Sequence, residues 1–150
     1  MDFQSVRDIL DFAISKEQEA HDIYVDLADK VERPELRKTF EEFAQMELGH
    51  RTRLEKIKAG ELPGFEDETV EDLKLSDFLV DVKPQPDMGY QDAILFAMKA
   101  EKRAHDLYVA LGGATTDQGL RHVFNGLAQE ELKHKQFFEN EYDDFILEGN

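Results

Sequence analysis

The chain has 150 residues, of which 35% are charged and 10% aromatic, with a net charge of −16 and neither Cys nor Trp. That length suits one domain, 1–150, with a sizeable core, and the acidity excludes nucleic acid and anionic membrane surfaces, which need clustered Lys and Arg. No Cys means no disulfide and no thiolate metal site; the absence of a basic stretch before an apolar run, and of any transmembrane-length apolar run, points to a cytoplasmic protein.

A first helix is predicted from near Ser5, with Asp8 three residues on as a capping partner. Its stripe reads Val6, Leu10, Ala13, position 17, Ala20, Tyr24, Leu27, Val31, in steps of three and four. Position 17 is Glu. The chain then turns at Glu32–Arg33–Pro34, with Pro34 suited to the first position of a second helix. That helix reads Leu36, Phe40, Phe43, Glu47, His50, Leu54, Ile57 and ends near Gly60. Residues 60 to 87 break the pattern with Gly60, Pro63, Gly64, Pro84, Pro86 and many acids, around a short element at LSDFLV. A third helix is predicted from near Asp87, reading Tyr90, Ile94, Ala97, Glu101, Ala104, Tyr108, Leu111. GGATTDQ forms a turn rich in N-cap residues. The fourth helix reads Leu120, Phe124, Leu127, Glu131, His134, Phe138, and the acidic tail EYDDFILEGN is read as its solvated end. The sparse Met residues are read as core.

All four stripes therefore carry Glu at their centre, and two add His one turn later. The halves repeat at a fixed offset of 84 residues: Glu17 with Glu101, Glu47 with Glu131, His50 with His134. The flanks follow, EAHDIYV against RAHDLYV and AQMELGH against AQEELKH. In an antiparallel hairpin, residues equidistant from the turn share a height. The midpoint of Glu17 and Glu47 falls in the first turn, and that of Glu101 and Glu131 in the second. A 25-residue helix is about 38 Å long, which takes at least about 12 extended residues to cross. The segment 60–87 is long enough to return the chain, so that helices two and three run parallel. The expected fold is all-α: a four-helix bundle of two duplicated hairpins joined by a long crossover. Its pseudo-two-fold axis brings Glu17, Glu47 and His50 face to face with Glu101, Glu131 and His134.

Burying even one uncompensated ion costs several kcal/mol, and no Lys or Arg lies in the four stripes. Two divalent cations carry the charge that balances four carboxylates beside neutral His. A carboxylate-bridged bundle uses this ligand set, one Glu from each of two helices and a Glu-x-x-His pair from each of the others. Hard oxygens with imidazole suit Fe or Mn, and Zn also occupies such sites.

The spacing Glu-x-x-Ala-x-x-x-Tyr, at Glu17, Ala20, Tyr24 and again at Glu101, Ala104, Tyr108, together with the two Glu-x-x-His pairs, resembles the rubrerythrins of the ferritin-like superfamily. The resemblance covers nearly the whole chain. It implies a ferritin-like bundle with a di-iron site whose ligands and catalytic residues are Glu17, Glu47, His50, Glu101, Glu131 and His134. It also implies reduction of hydrogen peroxide or dioxygen. Two departures stand out. Rubrerythrins typically carry a rubredoxin-type domain whose four Cys hold one iron, and this sequence has no Cys. They often place an extra Glu three residues after the third-helix ligand, where this chain has Ala104. The first removes a built-in electron donor, so an external one, a rubredoxin or a flavoprotein, is expected. The second bears on the redox-linked ligand exchange that supports peroxidase turnover.

Tyr24 and Tyr108 are candidates to hydrogen-bond carboxylates of a neighbouring helix and tune the metals; core Tyr with an exposed hydroxyl is the alternative. His21 and His105 are read as surface or seam-edge residues. Gln45, Gln129 and Glu130 either orient the His ligands or face solvent. Three functions remain open: a di-iron oxidoreductase, a ferritin-like iron oxidation and storage protein, and a non-catalytic bundle holding Zn or Mn. Storage needs a shell of many subunits, for which nothing in this chain marks an interface; a homodimer is among the expected partners.

Overall fold

The computed structural model describes residues 5–60 and 89–147, with side chains described up to residue 144. Four helices follow in order: α1 (Val6–Lys30), α2 (Pro34–Lys58), α3 (Tyr90–Ala114) and α4 (Gln118–Leu147). The boundaries follow local chemistry. Ser5 caps α1, its hydroxyl accepting from the Asp8 amide at 3.2 Å. Pro34 opens α2, where its missing N–H costs nothing. Gly60, at φ +79°, stops the chain after α2 in a conformation other residues resist. Asp117 caps α4 by accepting from the Leu120 amide at 2.8 Å. The third helix starts at Tyr90 with Gly89 as its cap, three residues later than the sequence reading placed it. The crossover at 60–87 and the element at LSDFLV lie outside the described residues, apart from Gly60 itself.

Each hairpin turn is tied by one arginine. Arg37 donates from Nε to the Ala28 carbonyl at 3.3 Å and from Nη2 to the Val31 carbonyl at 3.1 Å. Its counterpart Arg121 donates to the carbonyls of Gly112 at 3.1 Å and Thr115 at 2.7 Å. Helix C-termini leave carbonyls unpartnered, and here the following helix supplies the donors. These guanidinium bridges were not anticipated from the sequence. The matched positions at the 84-residue offset show that the duplication extends to the turns.

The helices pack closely within each hairpin, α1 on α2 and α3 on α4. Between hairpins, Tyr24 reaches Glu101 and Tyr108 reaches Glu17, so α1 and α3 run antiparallel. Helix α2 therefore runs parallel to α3. The Arg33 guanidinium at the start of α2 sits over the Tyr90 ring at the start of α3, 4.3 Å from its centroid, as that orientation requires. This is the ferritin-like four-helix bundle expected from the sequence.

The core is in two halves. One holds Val6, Leu10, Leu54, Leu111, Leu120 and Phe124. The other holds Tyr24, Leu27, Phe40, Phe43, Ile94 and Phe138. The offset of 84 exchanges them: Leu10 with Ile94, Leu27 with Leu111, Phe40 with Phe124, Leu54 with Phe138. Between the halves lies the layer of Glu and His. The apolar ends drive the folding, and they hold a polar layer that does not stabilise itself. The Met reading fails at Met46, which is 46% exposed, because position 46 lies off the α2 stripe, next to its central Glu. The tail reading holds for its first part, which continues α4, although Glu141 accepts from the Tyr90 hydroxyl at 3.0 Å and Tyr142 packs on the second core half.

Candidate metal centre

Glu17, Glu47, Glu101 and Glu131 are each at most 2% exposed, and His50 is buried beside them. Each stands where the apolar stripe of its helix passes the mid-plane of the bundle. The residues form two overlapping groups. Glu17, Glu47, His50 and Glu131 bring one ligand atom each within 4.8 Å of one another, and so do Glu47, Glu101, Glu131 and His134. Glu47 and Glu131 belong to both groups. Glu17 and His50 belong to one alone, Glu101 and His134 to the other.

Both imidazoles aim Nδ1 inward. His50 Nδ1 lies 3.1 Å from Glu131 and 3.5 Å from Glu17. His134 Nδ1 lies 3.3 Å from Glu47 and 3.4 Å from Glu101. The two rings are parallel within 6° and 6.4 Å apart. The duplication thus produces a site with two equivalent inner halves.

Tyr24 donates its hydroxyl to Glu101, and Tyr108 to Glu17. Both rings are fully buried, so the reading of core Tyr with an exposed hydroxyl is set aside. Burial first, then the neighbouring Glu101 or Glu17, pushes each phenol well above its usual value, so both remain protonated donors.

The electrostatics of the bare cluster are strained. Burial pushes Glu47 up, and the charges of Glu131 and Glu17 add to it. Burial and the neighbouring Glu101 raise Glu131 to about 8, and burial raises Glu101 to about 7. Burial opposes a charge on His50, but the carboxylates of Glu131 and Glu17 outweigh it and raise this imidazole to about 11. Burial lowers His134. Without a further cation, the cluster keeps its charge down by holding protons on carboxyls.

The donor atoms show what would relieve the strain. Glu17 Oε2, both oxygens of Glu47 and Glu131, Glu101 Oε2, and Nδ1 of His50 and His134 are buried without a hydrogen-bond partner. Buried polar atoms in native proteins are normally satisfied. Here eight converge on one layer. Six carboxylate oxygens and two imidazole nitrogens form an O/N donor set that fits divalent metal ions.

The remaining candidates separate cleanly. His21 and His105 pair with Asp22 and Asp106 at 3.0 Å and 3.1 Å and stand outside both ligand groups. Gln45 and Gln129 are exposed. Glu130 resolves toward orientation, since its carboxylate accepts from His50 Nε2. The sequence reading missed Phe43 as a neighbour of the site; its ring stacks on His134 with centroids 4.4 Å apart. The signal was present, because Phe43 precedes Glu47 by one turn on the same stripe. Among the described residues, no helix is long and apolar enough to cross a membrane.

Comparison with known proteins agrees with this geometry. The rubrerythrin family model matches residues 8–142. A solved structure of a hypothetical protein from Pyrococcus furiosus is similar, with a TM-score of 0.67 and 26% identity over 92% of this chain and 88% of that one. No curated protein matches. Since the family model spans nearly the whole chain, including both hairpins and all six central Glu and His residues, the chain belongs to the rubrerythrin family.

Proposed function

We propose that the chain is a di-iron oxidoreductase that reduces hydrogen peroxide or dioxygen with electrons from an external donor. The observation that carries this reading is the pair of overlapping ligand groups with Glu47 and Glu131 in common. Glu47 and Glu131 would each serve both of two cations if the two groups were filled. Glu17 with His50 completes one position, and Glu101 with His134 the other. Two ferrous ions, when bound, supply the two electrons that convert one peroxide and two protons to two molecules of water.

The protein's own residues set the conditions. The apolar halves on either side exclude bulk water from the layer, which strengthens each electrostatic interaction there. Tyr24 and Tyr108 hold one oxygen each of Glu101 and Glu17, leaving Oε2 of both carboxylates free for a cation. Ala104 is half-buried and has no carboxylate to offer, so a ligand exchange that depends on a Glu at that position has no counterpart among these residues. None of the 150 residues is Cys, so these residues hold no thiolate-bound iron, and in this reading a rubredoxin or a flavoprotein is the donor. The reading places the protein in the cytoplasm.

Stopped-flow absorbance of the anaerobic di-ferrous protein tests the proposal. Peroxide should oxidise the iron within seconds, and steady-state peroxide consumption should require rubredoxin and its reductase. Iron that stays ferrous for many minutes would favour a purely metal-binding protein. Rapid oxidation by dioxygen with growth of a mineral core would favour storage.

A further inference from the structure

The inner ligands obey the 84-residue symmetry, but their surroundings do not. His50 Nε2, on the side away from the cluster, donates to Glu130 of α4. The symmetry-related place for His134 is position 46 of α2, which holds Met46. A thioether is a weak acceptor without charge. His134 instead stacks on Phe43, which continues into Phe137 and Phe138 at 5.4 Å and 5.1 Å. The counterparts of Phe43 and Phe137 around His50 are Leu127 and Arg53, so among the described residues no Phe or Tyr wall backs this imidazole. One imidazole has a carboxylate behind it, the other an aromatic wall.

We propose that this asymmetry makes the two metal positions unequal. The position completed by Glu17 and His50 binds tighter and fills first, with Glu130 as its positioning residue. The inference rests on the dinuclear reading above. With Nε2–H committed to Glu130, neutral His50 carries its lone pair on Nδ1, the nitrogen already aimed at the cluster. The carboxylate also fixes the ring orientation and raises the basicity of the donor nitrogen. Losing such a partner typically weakens metal binding by about 10- to 100-fold. Phe43 restrains the His134 ring, but it neither selects a tautomer nor adds charge.

Calorimetric titration of the apo protein with Co(II), without oxygen, tests this. The wild type should take up two ions per chain in two resolved steps, about 10- to 100-fold apart in affinity. E130M, which copies the Met46 environment, should weaken the first step by a similar factor and leave the second in place. E130Q serves as a milder variant that keeps an acceptor but loses the charge. M46E should strengthen the second step, a gain that structural damage cannot mimic. Mössbauer spectra at one equivalent of ⁵⁷Fe(II) should show one dominant doublet in the wild type and two comparable doublets in M46E. Two ions bound with a pattern that neither E130M nor M46E alters would overturn the inference and leave the dinuclear reading standing. Fewer than two ions per wild-type chain would overturn the reading beneath it.

Discussion

Tyr24 in the first hairpin donates its hydroxyl to Glu101 in the second, and the duplicated Tyr108 returns the bond to Glu17. These two bonds join α1 and α3, which otherwise pack far less closely than the helices within either hairpin. Each donor lies in a different half of the core, on either side of the polar layer. The pair therefore couples the docking of the hairpins to the positions of two central carboxylates.

Replacing Tyr24 with Phe keeps the ring and removes the donor. The Glu101 oxygen then stays buried without a partner, which costs about 1–3 kcal/mol. Tyr108→Phe should cost a similar amount through Glu17. Urea denaturation of the apo variants would measure both. A change below about 0.5 kcal/mol in either would mean that the bond contributes little to holding the hairpins together.

The shared carboxylates should differ from the unshared ones. Glu47→Ala and Glu131→Ala each remove a member of both ligand groups and should lower occupancy at both positions. Glu17→Ala and Glu101→Ala each touch one group, so each should leave one ion bound. Metal analysis by mass spectrometry after gel filtration distinguishes these outcomes. Equal losses in all four variants would contradict the partition.

The bare cluster should respond to pH in a definite direction. Glu101 and Glu131, raised to about 7 and about 8, and Glu47, also raised, hold protons in the folded chain where the unfolded chain has released them. Their contribution is full below the ordinary Glu pKa of about 4.3 and is lost as pH rises through about 7 to 8. His50, raised to about 11, acts in the same direction at higher pH, and His134, lowered, opposes it near its ordinary value. Bound metal replaces those protons, so its affinity grows as pH rises. Calorimetry between about pH 5 and pH 8 should show apo Tm falling through this cluster and the gap between holo and apo Tm widening. A gap that narrows with rising pH would contradict this account.

The arginine bridges at the turns should contribute unequally. Arg121 is half-buried and its bonds to Gly112 and Thr115 are shorter than those of the exposed Arg37. Arg121→Ala should destabilise the fold by about 1–2 kcal/mol, and Arg37→Ala by less. Thermal denaturation of the two variants would rank them; the reverse order would show that burial and bond length are not what sets their worth.

Much of this molecule is local, and so legible in one dimension. The stripes of α1 to α4, the cap at Ser5, the start at Pro34 and the stop at Gly60 depend on neighbours within about one turn. The six central Glu and His residues were legible for a second reason. The repeat places each at the same distance from its turn, and a helix converts residue count into height at about 1.5 Å per residue. Relations between hairpins are of another kind. That Tyr24 bonds Glu101, that Glu47 and Glu131 serve both ligand groups, that Glu130 rather than Gln129 reaches His50, and that Phe43 covers His134 all depend on how two hairpins rotate about their axes as they dock. Periodicity sets which face of a helix turns inward. Only the packing of both core halves against each other decides which side chains on those faces meet.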